Sequence, residues 1–176
     1  FGVQPLMQRE SCGYTTFRIV VEVNVNQLVD MSGVTHNQGI CLIGIDTGVH
    51  TGFAVWHSDT KYLAEVSTMT ITQAMERVKM IADIRGKDNI RLFIEDARQR
   101  KWFGHSGREK LQGAGSVKRD SRIWEDWCRE QGLQYRMIAP GCNRTKLTEA
   151  QFKFVTQWHG RSSVHGRDAA MLVFGR

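Results

Sequence analysis

Four side chains in this sequence have the types and spacing to hold hard divalent cations: Asp46, Glu95, His165 and Asp168. Asp46 closes the apolar run CLIGID and is followed by Gly48 and Gly52, and Glu95 closes a second run, IRLFIE. Asp168 lies in HGRDAAML, with His165 three residues earlier and so on the same face of a helix. In open α/β sheets, sites form outside the carboxyl ends of strands, so two acids that end strands project into one crevice. Three acids and an imidazole converging there repel one another unless cations sit between them. Oxygen donors beside a phosphate suit Mg²⁺ or Mn²⁺. The glycines after Asp46 are expected to let the turn pack tightly and to leave room for a substrate backbone.

Each residue also has a plainer reading. Asp46 can cap a turn, Glu95 can pair with Arg98, and Asp168 can be an acid at the start of a helix, favoured by its dipole. Asp96 rivals Glu95, but alternation along LFIED puts the two on opposite faces, and Glu95 is the one assigned to the crevice.

Positioning these acids requires strands and helices in a definite order. The segments ICLIGID, GFAVWH and KYLAEVST read as three strands joined by short turns. TITQAMERVKMIADIRG places Ile71, Met75, Val78 and Ile81 or Ala82 at helical spacing and ends at Gly86. IRLFIED is a fourth strand. Ser116 is expected to cap a helix running to about Gln131, with Ile123, Trp124, Trp127 and Cys128 inward. LQYRMIAP is a fifth strand, TEAQ at 148–151 is a capping box opening a helix with Phe152, Val155 and Trp158, and HGRDAAMLVFG is a last short helix. The order β-β-β-α-β-α-β-α-α predicts a mixed α/β sheet that begins as an antiparallel meander. Residues 40–176 make one domain. Residues 1–39 are read as an N-terminal extension, either an extra strand or a remnant outside the fold.

The net charge of +6 is concentrated. Between Arg98 and Arg122 stand eight basic residues against two acids, which accounts for the whole excess and points to nucleic acid as the partner. Arg98, Lys101, Lys118 and Arg119 are candidate phosphate contacts, the last two beside backbone N–H groups at the expected helix start in GAGSVKR. GAGSVKR is neither a P-loop nor a dinucleotide fingerprint, and FGHSG is not a nucleophile elbow. Cys12, Cys41, Cys128 and Cys142 lack metal-site spacing and are expected to be buried thiols in a reducing cytosol. No apolar run reaches the roughly 20 residues of a membrane span, so no membrane association and a cytoplasmic location are expected.

The pieces IGIDTGVHTGFAV, LFIED, GAGSVKRDSRIWEDWCREQGL, YRMIAP, KLTEAQFKF and HGRDAAM resemble the ribonuclease H-like superfamily, and within it the RuvC-type Holliday-junction resolvases and their phage relatives. The resemblance covers roughly residues 40–176 and implies a ribonuclease H-like five-stranded sheet flanked by helices. It implies a metal-dependent endonuclease, bacterial or phage-encoded, that acts as a homodimer on branched DNA such as four-way junctions. Its acids match Asp46, Glu95 and Asp168, with His165 in a slot that is Asp or His in that family. Lys146 and Lys153 resemble the family's basic residues near the scissile strand. The sequence departs where bacterial resolvases read Asp-Pro-Gly, and Trp102 and Phe103 either stand in for an aromatic placed sooner after the glutamate or anchor the core or a dimer contact.

The expected chemistry is phosphodiester hydrolysis by two ions about 4 Å apart, with Asp46 bridging them and Glu95, Asp168 and His165 completing their shells. His165 can also take a proton from water. Two other classes compete with this reading: a catalytically silent DNA-binding or scaffold module on the same fold, and an actin-like ATPase relative.

Overall fold

The structure, a computed structural model, describes residues 39–99, 108–143 and 146–176, excepting the side chains of 108–114. Of the extension expected over 1–39, Gly39 falls among the described residues; Lys101, Trp102 and Phe103 lie outside them. Five strands form one mixed sheet in the order β3-β2-β1-β4-β5. These are β1 (Cys41–Asp46), β2 (Thr51–His57), β3 (Tyr62–Met69), β4 (Ile90–Glu95) and β5 (Tyr135–Ile138). The helices are α1 (Ile71–Arg85), α2 (Arg108–Glu130), α3 (Glu149–Thr156) and α4 (Val164–Met171). The first three strands are an antiparallel meander, as expected, while β4 joins β1 and β5 in parallel. A parallel pair cannot be closed by a tight turn, and the β3–α1 segment provides the crossover from β1 to β4.

β1 is the centre of the sheet, with all six residues buried. Its alternation separates two cores. Cys41, Ile43 and Ile45 join Ile90, Leu92 and Ile94 of β4 under α1 and α2, where Val78, Trp124 and Cys128 pack. Leu42, with Ala54 and Trp56 of β2, faces Phe152 of α3 and Ala169, Ala170 and Val173 of the α4 region. Each large aliphatic chain so buried stabilises the fold by about 1.5–3 kcal/mol.

Local sequence fixes the helix starts. Thr70 accepts from the Gln73 backbone N–H while Gln73 returns a bond to the Thr70 N–H, and Thr148 and Gln151 do the same for α3. Three expectations change. α2 begins at Arg108, so Ser116 lies inside the helix and the N–H groups of GAGSVKR belong to its ladder instead of facing an anion. The helix formers of REKLQ outweigh two glycines that cost about 1 kcal/mol each. Ile123 is exposed, because the inward stripe of α2 runs through Trp124, Cys128 and Ser121. α3 ends at Thr156, where Gln157 turns left-handed (φ 57°); Val155 is exposed and Trp158 stands beyond the helix. Cys41 and Cys128 are buried thiols, but Cys142 is exposed. Among the described residues no helix is long and apolar enough to cross a membrane.

Candidate active site

Because β1 and β4 are parallel, their carboxyl ends meet at the same edge of the sheet, Ile45 lying beside Ile94 in the ladder. The two-residue period then sorts the acids. Asp46 continues the parity of Leu42 and Gly44 and faces α4. Glu95 continues that of Arg91 and Phe93, and Phe93 packs in the core on the same side. Asp96 takes the opposite face, toward α2.

Three glycine contacts seat α4 across the meander. A Cβ on Gly44 of β1 would come within 2.1 Å of the Ala169 carbonyl oxygen, and one on Gly52 of β2 within 2.0 Å of the His165 carbonyl oxygen. Gly166 of α4 lies on β3, where a Cβ would meet the Ser67 carbonyl oxygen at 3.0 Å. Ser163 caps α4 by accepting from the Gly166 N–H at 2.9 Å, and its hydroxyl also bonds Thr68 of β3. The space beside Gly52 is therefore filled by the α4 backbone instead of being kept for a substrate, which corrects that expectation; Gly48 remains open.

This seating delivers His165 to Asp46. His165 Nδ1 lies 2.8 Å from Asp46 Oδ2 although the residues are 119 apart in the chain. Asp46 is largely enclosed while half of the imidazole is exposed, so the pair opens to solvent on the histidine side. Asp168 follows one turn later, beyond the first turn of α4, and so does not serve as its N-terminal acid. Asn143 Nδ2 donates to the Asp168 carbonyl oxygen at 3.1 Å and ties the turn after β5 to α4.

A buried hydroxyl relay joins the two strand ends. Thr47 Oγ1 donates to the Glu95 carbonyl oxygen at 3.1 Å and lies 3.1 Å from Ser121 Oγ of α2. Ser121 in turn accepts from the Ala97 N–H at 3.2 Å. The residue types give no hint of this relay, apart from the position of Thr47 next to Asp46.

Arg98 is the ion-pair partner of Asp96, not of Glu95. Its guanidinium holds Asp96 at 2.6 Å and Glu125 at 2.6 Å. Burial pushes the Asp96 carboxyl up, but hydrogen bonds from Arg98 and Gln99 more than offset this and hold it below the usual range. The same bonds from Asp96 raise the Arg98 pKa. Arg98, expected to contact phosphate, thus anchors the turn after β4 to α2. Lys118 stands one turn before Ser121 on α2, Arg119 and Lys146 are exposed, and Lys153 pairs with Glu149 at 2.6 Å within α3. Lys146 has left-handed backbone (φ 63°).

By donor type, three carboxylates and one imidazole fit a hard divalent cation. Asp46 and His165 are already in contact, but among the described residues no three His, Cys, Asp or Glu side chains are gathered around one ion position.

Solved structures that resemble this chain include a junction-bound protein. T. thermophilus RuvC in complex with a Holliday junction substrate is 14% identical, over 76% of this chain and 89% of that chain, with a TM-score of 0.47. No family model matches the chain, and no curated protein does. The mixed five-stranded sheet with flanking helices is the α/β arrangement expected from the sequence.

Proposed function

We propose that this chain is a divalent-cation-dependent endonuclease that hydrolyses phosphodiester bonds in branched DNA such as four-way junctions, as a homodimer. The observation that carries this reading is the Asp46–His165 contact at the carboxyl edge of the sheet. Glu95 stands on the same face of the neighbouring parallel strand, and Asp168 stands one turn along α4. Asp46, Glu95, His165 and Asp168 are the residues that would hold Mg²⁺ or Mn²⁺, two ions per site. Such ions supply Lewis acidity and a nucleophilic water at neutral pH.

The chain's own groups have further duties. Asp46 fixes the His165 ring through Nδ1, which leaves Nε2 either to hold a cation or, in place of that, to take a proton from water. Lys118 and Arg119 on α2, with Lys146, Lys153 and Lys101, provide phosphate contacts that give affinity and little sequence information. A homodimer follows from the chemistry, because paired cuts on opposing strands need two sites related by a two-fold axis.

The test is cleavage of a four-way junction, a flap and plain duplex with Mg²⁺, Mn²⁺ or a chelator. Paired nicks in the junction are expected, lost on chelation and reduced about 10²–10⁴-fold by Asp46→Asn, with junction affinity little changed. Cleavage by Asp46→Asn at the parent rate would overturn the assignment. Among the described residues no three ligands converge on one ion position, and a DNA-binding module without catalysis is the second reading. That reading expects junction binding and no cation-dependent nick.

A further inference from the structure

A cavity of about 820 Å³ opens between the β2–β3 turn, the C-terminal end of α3 and the segment after α4. Ligand sites of small molecules have volumes of roughly 300–1,000 Å³. The cavity is remote from the carboxylate edge. Asp46 pairs with Gly52 and Leu42 with Trp56, so at about 3.3 Å per residue Trp56 lies about 13 Å along the strands from Asp46.

Its walls carry Trp56, Tyr62, Trp158 and Phe174, with Lys61 and Arg176 beside them and no Asp or Glu in the lining. We infer that this cavity binds a nucleotide unit, a planar heteroaromatic base with its phosphate, supplied either free or within a single strand.

The rings are held in place before any ligand arrives. Trp56 Nε1 donates to the Arg176 carbonyl oxygen at 3.3 Å, and its ring meets Phe174 edge-on at 5.0 Å. Trp158 Nε1 donates to the Arg161 carbonyl oxygen at 3.3 Å, and Gly160 lies so close to the indole that a Cβ there would come within 3.0 Å of three ring atoms. Orienting rings in advance reduces the ordering cost of stacking a base. Tyr62 is 59% exposed, so its ring is open to a ligand entering the cavity.

The cations are placed to match. The Lys61 ammonium makes no hydrogen bond or ion pair among the described residues and stands exposed, while Arg176 uses Nε for the Leu172 carbonyl oxygen at 2.7 Å and holds its guanidinium over the Phe93 ring, 4.9 Å from the centroid. Lys61 (φ 51°) and Gln157 (φ 57°), two of the three left-handed residues other than glycine in the described chain, both line this cavity. Such backbone is uncommon and concentrates at ligand sites and turns.

The experiment titrates the full chain with AMP, a ten-residue oligothymidylate and inorganic phosphate, by tryptophan fluorescence and calorimetry. Saturable binding of AMP or of the oligonucleotide is expected, about tenfold weaker in Tyr62→Ala and in Lys61→Glu and unchanged in Asp46→Asn. Both substituted side chains are exposed, so these variants should keep the parent Tm. Tighter AMP binding identifies a free nucleotide as the ligand. A larger loss of oligonucleotide affinity in Tyr62→Ala identifies a strand. The proposal is overturned by the absence of saturation with either nucleotide probe, by phosphate binding as tightly as AMP, or by indifference to both substitutions. None of these outcomes depends on cleavage, so the cavity and the carboxylate site stand or fall separately.

Discussion

The carbonyl oxygen of His165 occupies the place of a side chain on Gly52, 2.0 Å from where a Cβ would stand. Backbone against backbone cannot yield as a flexible side chain does. Gly52→Ala is therefore expected to lift α4 off β2, at a cost of about 3 kcal/mol or roughly 10 °C in Tm. Gly48→Ala, with its nearest neighbour at 4.0 Å, should change Tm little. Thermal denaturation of the two variants side by side checks the contrast, and equal effects would refute the packing account.

Ser121→Ala removes the hydroxyl shared by Thr47 and the Ala97 N–H, and leaves buried polar groups without their partner. A loss of about 1–3 kcal/mol is expected. Thr47→Val should cost a similar amount, and the double variant less than the sum, because the two hydroxyls belong to one relay. If cleavage is observed, kcat should fall with KM unchanged, since the relay sets the spacing of the strand ends without touching DNA.

Arg98→Gln breaks a largely buried pair with Asp96 and should lower stability by about 3 kcal/mol while leaving the salt dependence of DNA binding intact. Lys118→Glu with Arg119→Glu should do the reverse, weakening binding to all sequences and flattening the salt slope by counterion release. Denaturation curves and binding at several salt concentrations give both halves of the comparison.

Thiol labelling at pH 8 should reach Cys142 well before Cys41 or Cys128. Burial raises the thiols of both interior cysteines, that of Cys128 to about 12, so thiolate is disfavoured at both and the sulfurs are enclosed as well. Peptide mapping by mass spectrometry over a time course distinguishes the sites, and early labelling of Cys128 would contradict the core placement.

The strands were legible because two-residue alternation and acids at strand ends are local signals, and Asp46, Glu95 and their shared face follow from counting along CLIGID and IRLFIE. The start of α2 was not. Gly113, Gly115 and Ser116 look like a break and a cap, yet the helix runs through them. Partner choice was also hidden. Arg98 lies three residues from Glu95 and two from Asp96, and the parity of β4, together with Glu125 on a distant helix, decides that it holds Asp96. The seating of α4 on Gly44 and Gly52 was equally out of reach, because a glycine in a strand names no neighbour.

The separation of Asp46 and His165 in the chain governs when the site can exist during synthesis. The meander, α1 and β4 can form while translation continues, but Asp46 meets its imidazole after residue 165 has left the ribosome. A growing chain thus carries Lys118 and Arg119 of α2 before it carries an assembled carboxylate–imidazole pair, and any fragment stopped short of α4 lacks that pair altogether.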